Sequence, residues 1–402
     1  MHDRFSAPFA LLAASLIAGC ALSPQGASRV AAGPDLIGAG QPSPATEQAI
    51  ADILERHRIV TAGIGVIRDG ELVWDRYFGE QAPGVPASAA TRFNVASVTK
   101  TVAAETILRL AGQGRLSLDE PMAAHWVDPD IADDPRRLAL TPRMALNHST
   151  GFPNWRFFLP GRRLTFLHPP GERFTYSGEG MNYVARFAER RLGRPFPELV
   201  AETVFGPIGM RDSSVVVRRA ESARIARPVD AAGTFFGYWC RPEGAQWCRP
   251  EGSWDAADDM VTTVRDFAAF LRAVADGEGY RPAIAADRDR VQTDLGDQRV
   301  VDCESVPAGP CPDSQGYGLG FSVLRFGDVT IIGHGGSDWS EMALAYVANP
   351  SRSGLIIFLN APNRRGLAAI PELIERIDPA SPFLSEYRRR LTQAQARERG
   401  DD

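Results

Sequence analysis

Strand-like segments lie near both ends of this chain with helices between them, and this order restricts the available folds more than any other feature. From Gly63 to Gly79 the sequence reads as two strands turned at Asp69-Gly70, a strong hairpin signal. A second set covers Tyr317 to Asn360, as Phe321 to Phe326, Val329 to Ile332, Met342 to Val347 and Leu355 to Leu359. Glu47 to His57 has the spacing of a short amphipathic helix. Thr101 to Leu110 reads as a mostly buried helix stopped near Gly112 and Gly114, and Leu367 to Ile377 as a last apolar helix. The stretch 120–275 reads as helical and loop-rich. The α+β arrangement that satisfies this order is an antiparallel sheet built from both chain ends, flanked by helices and interrupted by an inserted, mostly helical subdomain. With 44 % hydrophobic residues in 402, a core of that size can be buried, and disorder, collagen-like repeats and a polytopic membrane protein are excluded. The tail 381–402, charged from Glu386 onward, reads as a solvated surface helix or disorder.

The amino terminus has a different character. An apolar stretch from Pro8 to Ala18, about 11 residues, is shorter than the roughly 20 needed to span a bilayer. It ends Leu16-Ile17-Ala18-Gly19-Cys20, which is similar to the bacterial lipobox. On this likeness residues 1–19 are a lipoprotein signal peptide and Cys20 is the lipidated residue. Several acyl chains there would hold the protein stably on a membrane. Ala21 after the cysteine implies the outer membrane facing the periplasm, if the organism is Gram-negative. An ordinary secretory signal or a short buried helix are the alternatives. Residues 20–45, rich in Pro, Gly and Ala without a period, form a tether.

A net charge of −5 with no basic cluster argues against a nucleic-acid partner. The remaining cysteines fall in two equal spacings, Cys240 with Cys248 and Cys303 with Cys311. In an exported chain an even number suggests disulfides, and the two local bridges are preferred among three pairings. Zinc ligation competes, but the spacings lack the Cys-x-x-Cys form and no His flanks them.

Of 44 basic residues 43 are Arg, and Lys100 alone is Lys. Unlike Arg, a desolvated Lys can give up its proton near neutral pH. Ser97-Val98-Thr99-Lys100 opens the buried helix, and a spacing of three sets hydroxyl and amine on one face. A Ser hydroxyl is a weak nucleophile until a base takes its proton, and Lys100 could be that base. A helix-start N–H such as that of Ser97 can donate to a developing oxyanion. Taken alone, this spacing also fits a surface Lys one turn after an N-cap Ser.

Further segments narrow the choice. They are Phe93-Asn94-Val95-Ala96, Gly114-Arg115-Leu116-Ser117-Leu118-Asp119, Leu146-Asn147-His148-Ser149-Thr150-Gly151, Pro170-Gly171-Glu172-Arg173-Phe174-Thr175-Tyr176-Ser177, Gly206-Pro207-Ile208-Gly209-Met210, Tyr317-Gly318-Leu319-Gly320 and Gly333-His334-Gly335-Gly336. In this order the chain, over about residues 47–378, resembles the serine β-lactamase and penicillin-binding-protein superfamily. The resemblance is to its class C-like branch of β-lactamases, D-alanyl-D-alanine carboxypeptidases, D-aminopeptidases and family VIII esterases. It implies a hydrolase domain over 46–380, with Ser97 as acyl-accepting nucleophile, Lys100 as its base and Tyr176 as the proton-shuttling phenol. A phenol works as a base only with positive charge close by, so Lys100 and Tyr176 are expected side by side. His334, Gly335, Gly336 and Ser337 occupy the third motif, where the Ser337 N–H would complete an oxyanion hole with that of Ser97. The Gly pair would let substrate approach a strand edge closely. His148 is expected to be structural.

Two positions depart from the family pattern. Gly178 stands where the second motif carries Asn, with Asn182 or Glu179 as candidate replacements, and His334 stands where the third motif of β-lactamases carries Lys. The latter weakens the case for carboxylate-anchored β-lactams as substrates. The aromatic segment from Phe235 to Trp254, including Trp239 and Trp247, is either a disulfide-pinned rim of an apolar substrate pocket or packing within the helical part. The implied activity is an esterase or D-amino-acid amidase/peptidase acting on a small ester, amide or peptide, with no metal or cofactor. A β-lactamase or D,D-carboxypeptidase is the alternative within the same chemistry. A non-catalytic envelope-binding protein of the same fold is the alternative of another class, against which the intact Ser97, Lys100 and Tyr176 argue.

Overall fold

The structure is a computed structural model and describes residues 40–240, 248–303 and 311–400. The signal peptide, Cys20, most of the tether and Trp247 lie outside the described residues. Helix α1 (Pro44–Arg56) begins slightly before the expected boundary, because Ser43 accepts from the Thr46 N–H and a Pro occupies the first turn. Strands β1 (Thr61–Arg68), β2 (Glu71–Ala82) and β3 (Val85–Pro86) follow. The short β4 (Phe93–Asn94) leads into α2 (Thr99–Gly112). The inserted part holds α3 (Pro142–Leu146), α4 (Gly178–Leu192), α5 (Phe196–Val200), α6 (Gly206–Ile208), β5 (Val261–Thr262), α7 (Val264–Asp276) and α8 (Pro282–Arg288). The chain then returns through β6 (Ser314–Tyr317), β7 (Ser322–Phe326), β8 (Val329–Ser337), β9 (Glu341–Asn349) and β10 (Ser353–Asn360) to α9 (Asn363–Ile377) and α10 (Phe383–Arg399).

The main sheet has the order β3-β2-β1-β10-β9-β8-β7-β6 and is antiparallel throughout. The two chain ends meet where β1 pairs with β10, Thr61 opposite Asn360. Side chains alternate between two cores, as the pleat requires. Leu355, Ile357 and Leu359 pack with α1, α9 and α10, whereas Ile356 and Phe358 face α2, α4 and α7. Burial on both faces makes these strands continuous apolar runs, and each such side chain contributes roughly 1.5–3 kcal/mol. Gly63 and Gly65 let the inserted layer come close, since a Cβ at either position would collide with Val264.

Two expectations change, and the preferred cysteine pairing is kept. His334-Gly335-Gly336 is a continuation of β8, and β8 is an interior strand whose pairing with β7 ends at Gly333, so only residues 334–337 offer a free edge on that side. The tail is helical but not solvated along its first half. Phe383, Leu384 and Tyr387 are buried, with Phe383 stacked on Tyr346 at 4.9 Å and the Tyr387 hydroxyl donating to the Ala343 carbonyl at 3.2 Å. Both local disulfides are formed, Cys240–Cys248 and Cys303–Cys311, which leaves no thiols for zinc at these positions.

Candidate active site

Ser97 lies in a single 3-10 turn, Ala96–Val98, that runs directly into α2. Ala96 has a φ of 46°, a left-handed conformation costing about 1–3 kcal/mol for a residue with a Cβ. Two bonds hold it: Asn94 Oδ1 accepts from the Ala96 N–H at 2.9 Å, and the Val98 N–H donates to the Val95 carbonyl at 3.1 Å. On the other side the turn is clamped by β5. Its neighbour Met260 accepts from the Val95 N–H at 3.2 Å and donates its own N–H to Thr99 Oγ1 at 3.1 Å.

Lys100 is fully buried, and Nζ donates to Ser97 Oγ at 2.9 Å and to the Ala257 carbonyl at 2.9 Å. The ammonium also lies 4.9 Å from the Tyr176 ring centre and 5.7 Å from that of Trp155, so the expected neighbourhood of Lys100 and Tyr176 is present. Tyr176 is placed by the residue after it. Ser177 caps α4, accepting from the Gly180 N–H at 2.9 Å, and its N–H donates to His148 Nδ1 at 3.2 Å. His148 is sandwiched between Tyr176 and Tyr317 at 4.5 and 4.6 Å. Burial, then the Lys100 charge, holds its imidazole well below the usual range, so it is a neutral ring that orients Tyr176, in keeping with a structural role.

The free part of β8 passes Ser97 closely. A Cβ on Gly336 would stand 2.3 Å from the Val95 carbonyl and 3.2 Å from the Ser97 nitrogen, and one on Gly335 would meet the Tyr387 hydroxyl at 2.5 Å. Both glycines are therefore required by packing, one against the Ala96–Val98 turn and one against α10. His334 is buried and drawn down to about 3, first by burial and then by the Lys100 charge. Its Nδ1 lies 2.5 Å from the Gly335 carbonyl, which can only accept, so Nδ1 carries the proton. The bare Nε2, buried and without a partner, is an acceptor. His334 thus supplies neither a cation nor a free N–H to substrate.

A cavity of about 630 Å³ is lined by Ser97, Tyr176 and the segment His334–Ser337, so the expected residues converge on one space. Several of its other walls were not anticipated. Trp155 replaces the side chain missing at Gly178, where a Cβ would lie 2.5 Å from its indole, and Asn154 beside it accepts from the Gly178 N–H at 3.0 Å. The anticipated substitutes are occupied elsewhere. Glu179 pairs with Arg156 at 2.8 Å, and Asn182 donates to Asp255 at 2.8 Å. Asp258, half-buried, lines the cavity, and its carboxyl is pushed well above the usual range by burial and by the nearby Asp338 charge. The acidic run Asp255 to Asp259 is visible in the sequence, but only the pairing of β5 with β4 brings it beside Ser97. Arg389, Arg390 and Arg397 of α10 also line the cavity. No described residue between Phe235 and Trp254 lines this cavity. Tyr238 and Trp239 instead pack with Val217, Ile225 and Val261 in a small separate core, so for these two residues the packing reading holds, while Trp247 lies outside the described residues.

Comparison with known proteins agrees with this geometry. The Beta-lactamase family matches residues 46–376. Esterase EstB of Burkholderia gladioli is 31 % identical over 206 residues, covering 44 % of this chain and 51 % of the relative. A D-aminopeptidase of Cereibacter sphaeroides (strain KD131 / KCTC 12085) is 25 % identical over 312 residues, covering 74 % and 56 %. The chain thus spans about half the length of these relatives. Among solved structures, the D-amino acid amidase of Ochrobactrum anthropi SV3 superimposes with a TM-score of 0.62 at 21 % identity, covering 84 % of this chain and 98 % of that one. The octameric penicillin-binding protein homologue of Pyrococcus abyssi does so with a TM-score of 0.66 at 20 % identity, covering 87 % and 81 %, and these likenesses establish the fold.

Proposed function

The chain belongs to the β-lactamase family, and from that premise we propose that it is a serine hydrolase cleaving small esters or D-amino-acid amides through an acyl-enzyme on Ser97. The observation that carries the reading is the 2.9 Å contact between Ser97 Oγ and the fully buried Lys100 amine, with Tyr176 alongside. With its amine neutral, Lys100 takes the Ser97 proton as Oγ attacks the carbonyl carbon. The backbone N–H groups of Ser97 and Ser337 receive the resulting oxyanion. Tyr176, in contact with the Lys100 charge, passes the proton to the departing alkoxide or amine. Water then enters, gives a proton back through the same pair, and releases the acid. The relatives named esterase and D-aminopeptidase support esters and amides as substrates, whereas the neutral, internally bonded His334 disfavours β-lactams.

Labelling with a fluorophosphonate probe tests this directly. The wild-type protein is expected to label and Ser97→Ala is not; equal labelling of both would overturn the assignment. Parallel rates with a p-nitrophenyl ester, a D-alanyl peptide and nitrocefin then rank the substrates, with nitrocefin expected last. A lipid anchor at Cys20 is supported by the sequence Leu16-Ile17-Ala18-Gly19-Cys20. Incorporation of labelled palmitate that persists in Cys20→Ala would rule it out.

A further inference from the structure

We propose that Asn182 and Asp255 are positioning residues for Lys100, acting together through the Ala257 carbonyl that holds its amine. The role rests on the hydrolase reading above, in which Lys100 is the base. Lys100 Nζ donates to two acceptors, Ser97 Oγ and the Ala257 carbonyl, each at 2.9 Å. Ser97 Oγ loses its proton and becomes acylated during the reaction, so the Ala257 carbonyl is the partner whose chemistry stays constant. Ala257 lies in a turn ahead of β5, with no helix or strand of its own to fix the backbone. A closed set of side-chain bonds does this instead. The Ala257 N–H donates to Asp255 Oδ1 at 2.7 Å, and the Ala256 N–H donates to Asn182 Oδ1 at 2.9 Å. Asn182 Nδ2 completes the ring by donating to Asp255 Oδ2 at 2.8 Å. A backbone N–H can only donate, so the Asn182 amide has one orientation here, with its oxygen toward Ala256 and its NH2 toward Asp255.

Asn182 stands one turn after Gly178 on the same face of α4. The helix that places Tyr176 through Ser177 therefore also places Lys100 through Asn182, so phenol and amine are referred to one rigid element. Burial pushes the Asp255 carboxyl up, while the bonds from Asn182 and Ala257 and then the Lys100 charge pull it back. Further along the same segment, Met260 clamps the Ala96–Val98 turn, so residues 255–260 hold the Ser97 turn and the Lys100 amine together. Neither Asn182 nor Asp255 lines the cavity of Ser97; both line a second cavity of about 270 Å³ with Trp126, Arg186 and Trp254. A substrate held at Ser97 would touch neither residue, and their effect on rate has to pass through Ala257 and Lys100.

The test exchanges the two side chains. Asn182→Asp sets carboxylate against carboxylate and Asp255→Asn sets NH2 against NH2, so each single variant must give up a bond of the ring. Each is expected to lower kcat for p-nitrophenyl butyrate about tenfold or more, with KM changed by less than about twofold. The double variant can remake every bond with donor and acceptor reversed across the pair, and its kcat should return to within about threefold of wild type. Urea unfolding of each variant separates lost rate from lost folded protein. Single variants with wild-type kcat, or a double variant as impaired as the singles, would overturn the proposal. A second readout needs no turnover. Lys100 is the one lysine of the chain, so protein grown on lysine labelled with 13C at Cε gives a single side-chain signal. That signal is expected to shift in both single variants and to move back in the double variant, and a signal unmoved in the singles would defeat the clamp. If wild-type protein neither labels with fluorophosphonate nor hydrolyses the ester, the hydrolase reading fails, while the 13C signal still decides whether Asn182 and Asp255 place the amine.

Discussion

Helix α2 holds Lys100 behind Ser97, and α10 brings arginines to the cavity that Ser97 lines, but the two sets of basic side chains are held by different kinds of neighbours. In α2 nearly every residue is buried, and Glu105 inside it pairs with the buried Arg288 at 3.1 Å, so the helix is fixed over its whole length. The Lys100 amine has two partners at 2.9 Å and no contact with bulk water. In α10 only Phe383, Leu384 and Tyr387 are buried, and the arginines extend from this apolar foot into the cavity. In the hydrolase reading, the amine that moves a proton is the one enclosed on every side. A cation that needs only to meet a negative charge tolerates a more exposed setting, and Arg suits it because it stays charged.

The contrast can be broken from either side. The largest effect is expected for Lys100→Arg, which keeps the charge but cannot give up a proton, so kcat should fall about a hundredfold or more in ester hydrolysis. Near-normal turnover would show that the base lies elsewhere. Next comes Tyr387→Ala, which removes the aromatic side chain under α10. Urea unfolding should show a loss of about 3–5 kcal/mol, whereas a loss below about 1 kcal/mol would mean that the tail is dispensable to the core.

A third test uses pH. His334 is held near 3 in the folded protein, against about 6.5 for a free imidazole. Between these values the unfolded chain binds a proton that the folded one refuses, so stability is lost as pH falls below about 6.5, by up to about 1.4 kcal/mol per pH unit. His148 acts in the same direction, while Asp258 and Glu341, with raised carboxyls, oppose it. His334→Asn should therefore make the acid-side slope shallower by up to one proton, as read by denaturation from pH 7 to 4. An unchanged slope would mean that His334 is not neutral. The smallest effect is expected for Trp239→Ala, which packs away from the cavity against Tyr238 and under Arg219. Its kcat/KM should stay within about twofold across acyl chains, since surface and satellite positions rarely matter more.

Local pattern revealed what local chemistry enforces. The Ser97 to Lys100 spacing, the Asp69-Gly70 turn and the glycine pair at 335–336 are each short-range requirements, and each stands in the structure where the spacing put it. The extent of β8 was hidden because a glycine pair carries no apolar alternation to mark the strand beyond Ile332. Here they are strand residues whose missing Cβ makes room for Val95 on one face and Tyr387 on the other. Trp155 as the neighbour of Gly178, and Asp258 beside Lys100, depend on segments far apart in sequence being folded together, and no spacing encodes that.

The sequence by itself determined the pairing of Ser97 with Lys100, the motif that carries Tyr176 and the two-ended sheet, because a helix turn and a hydrophobic strand both bring particular residues together at short, fixed intervals. Only the tertiary structure decided the charge of the cavity. Whether a cation such as Arg390 faces the cavity or solvent depends on which surface its helix buries, and three apolar residues, Phe383, Leu384 and Tyr387, settle that by docking a highly charged tail against the sheet.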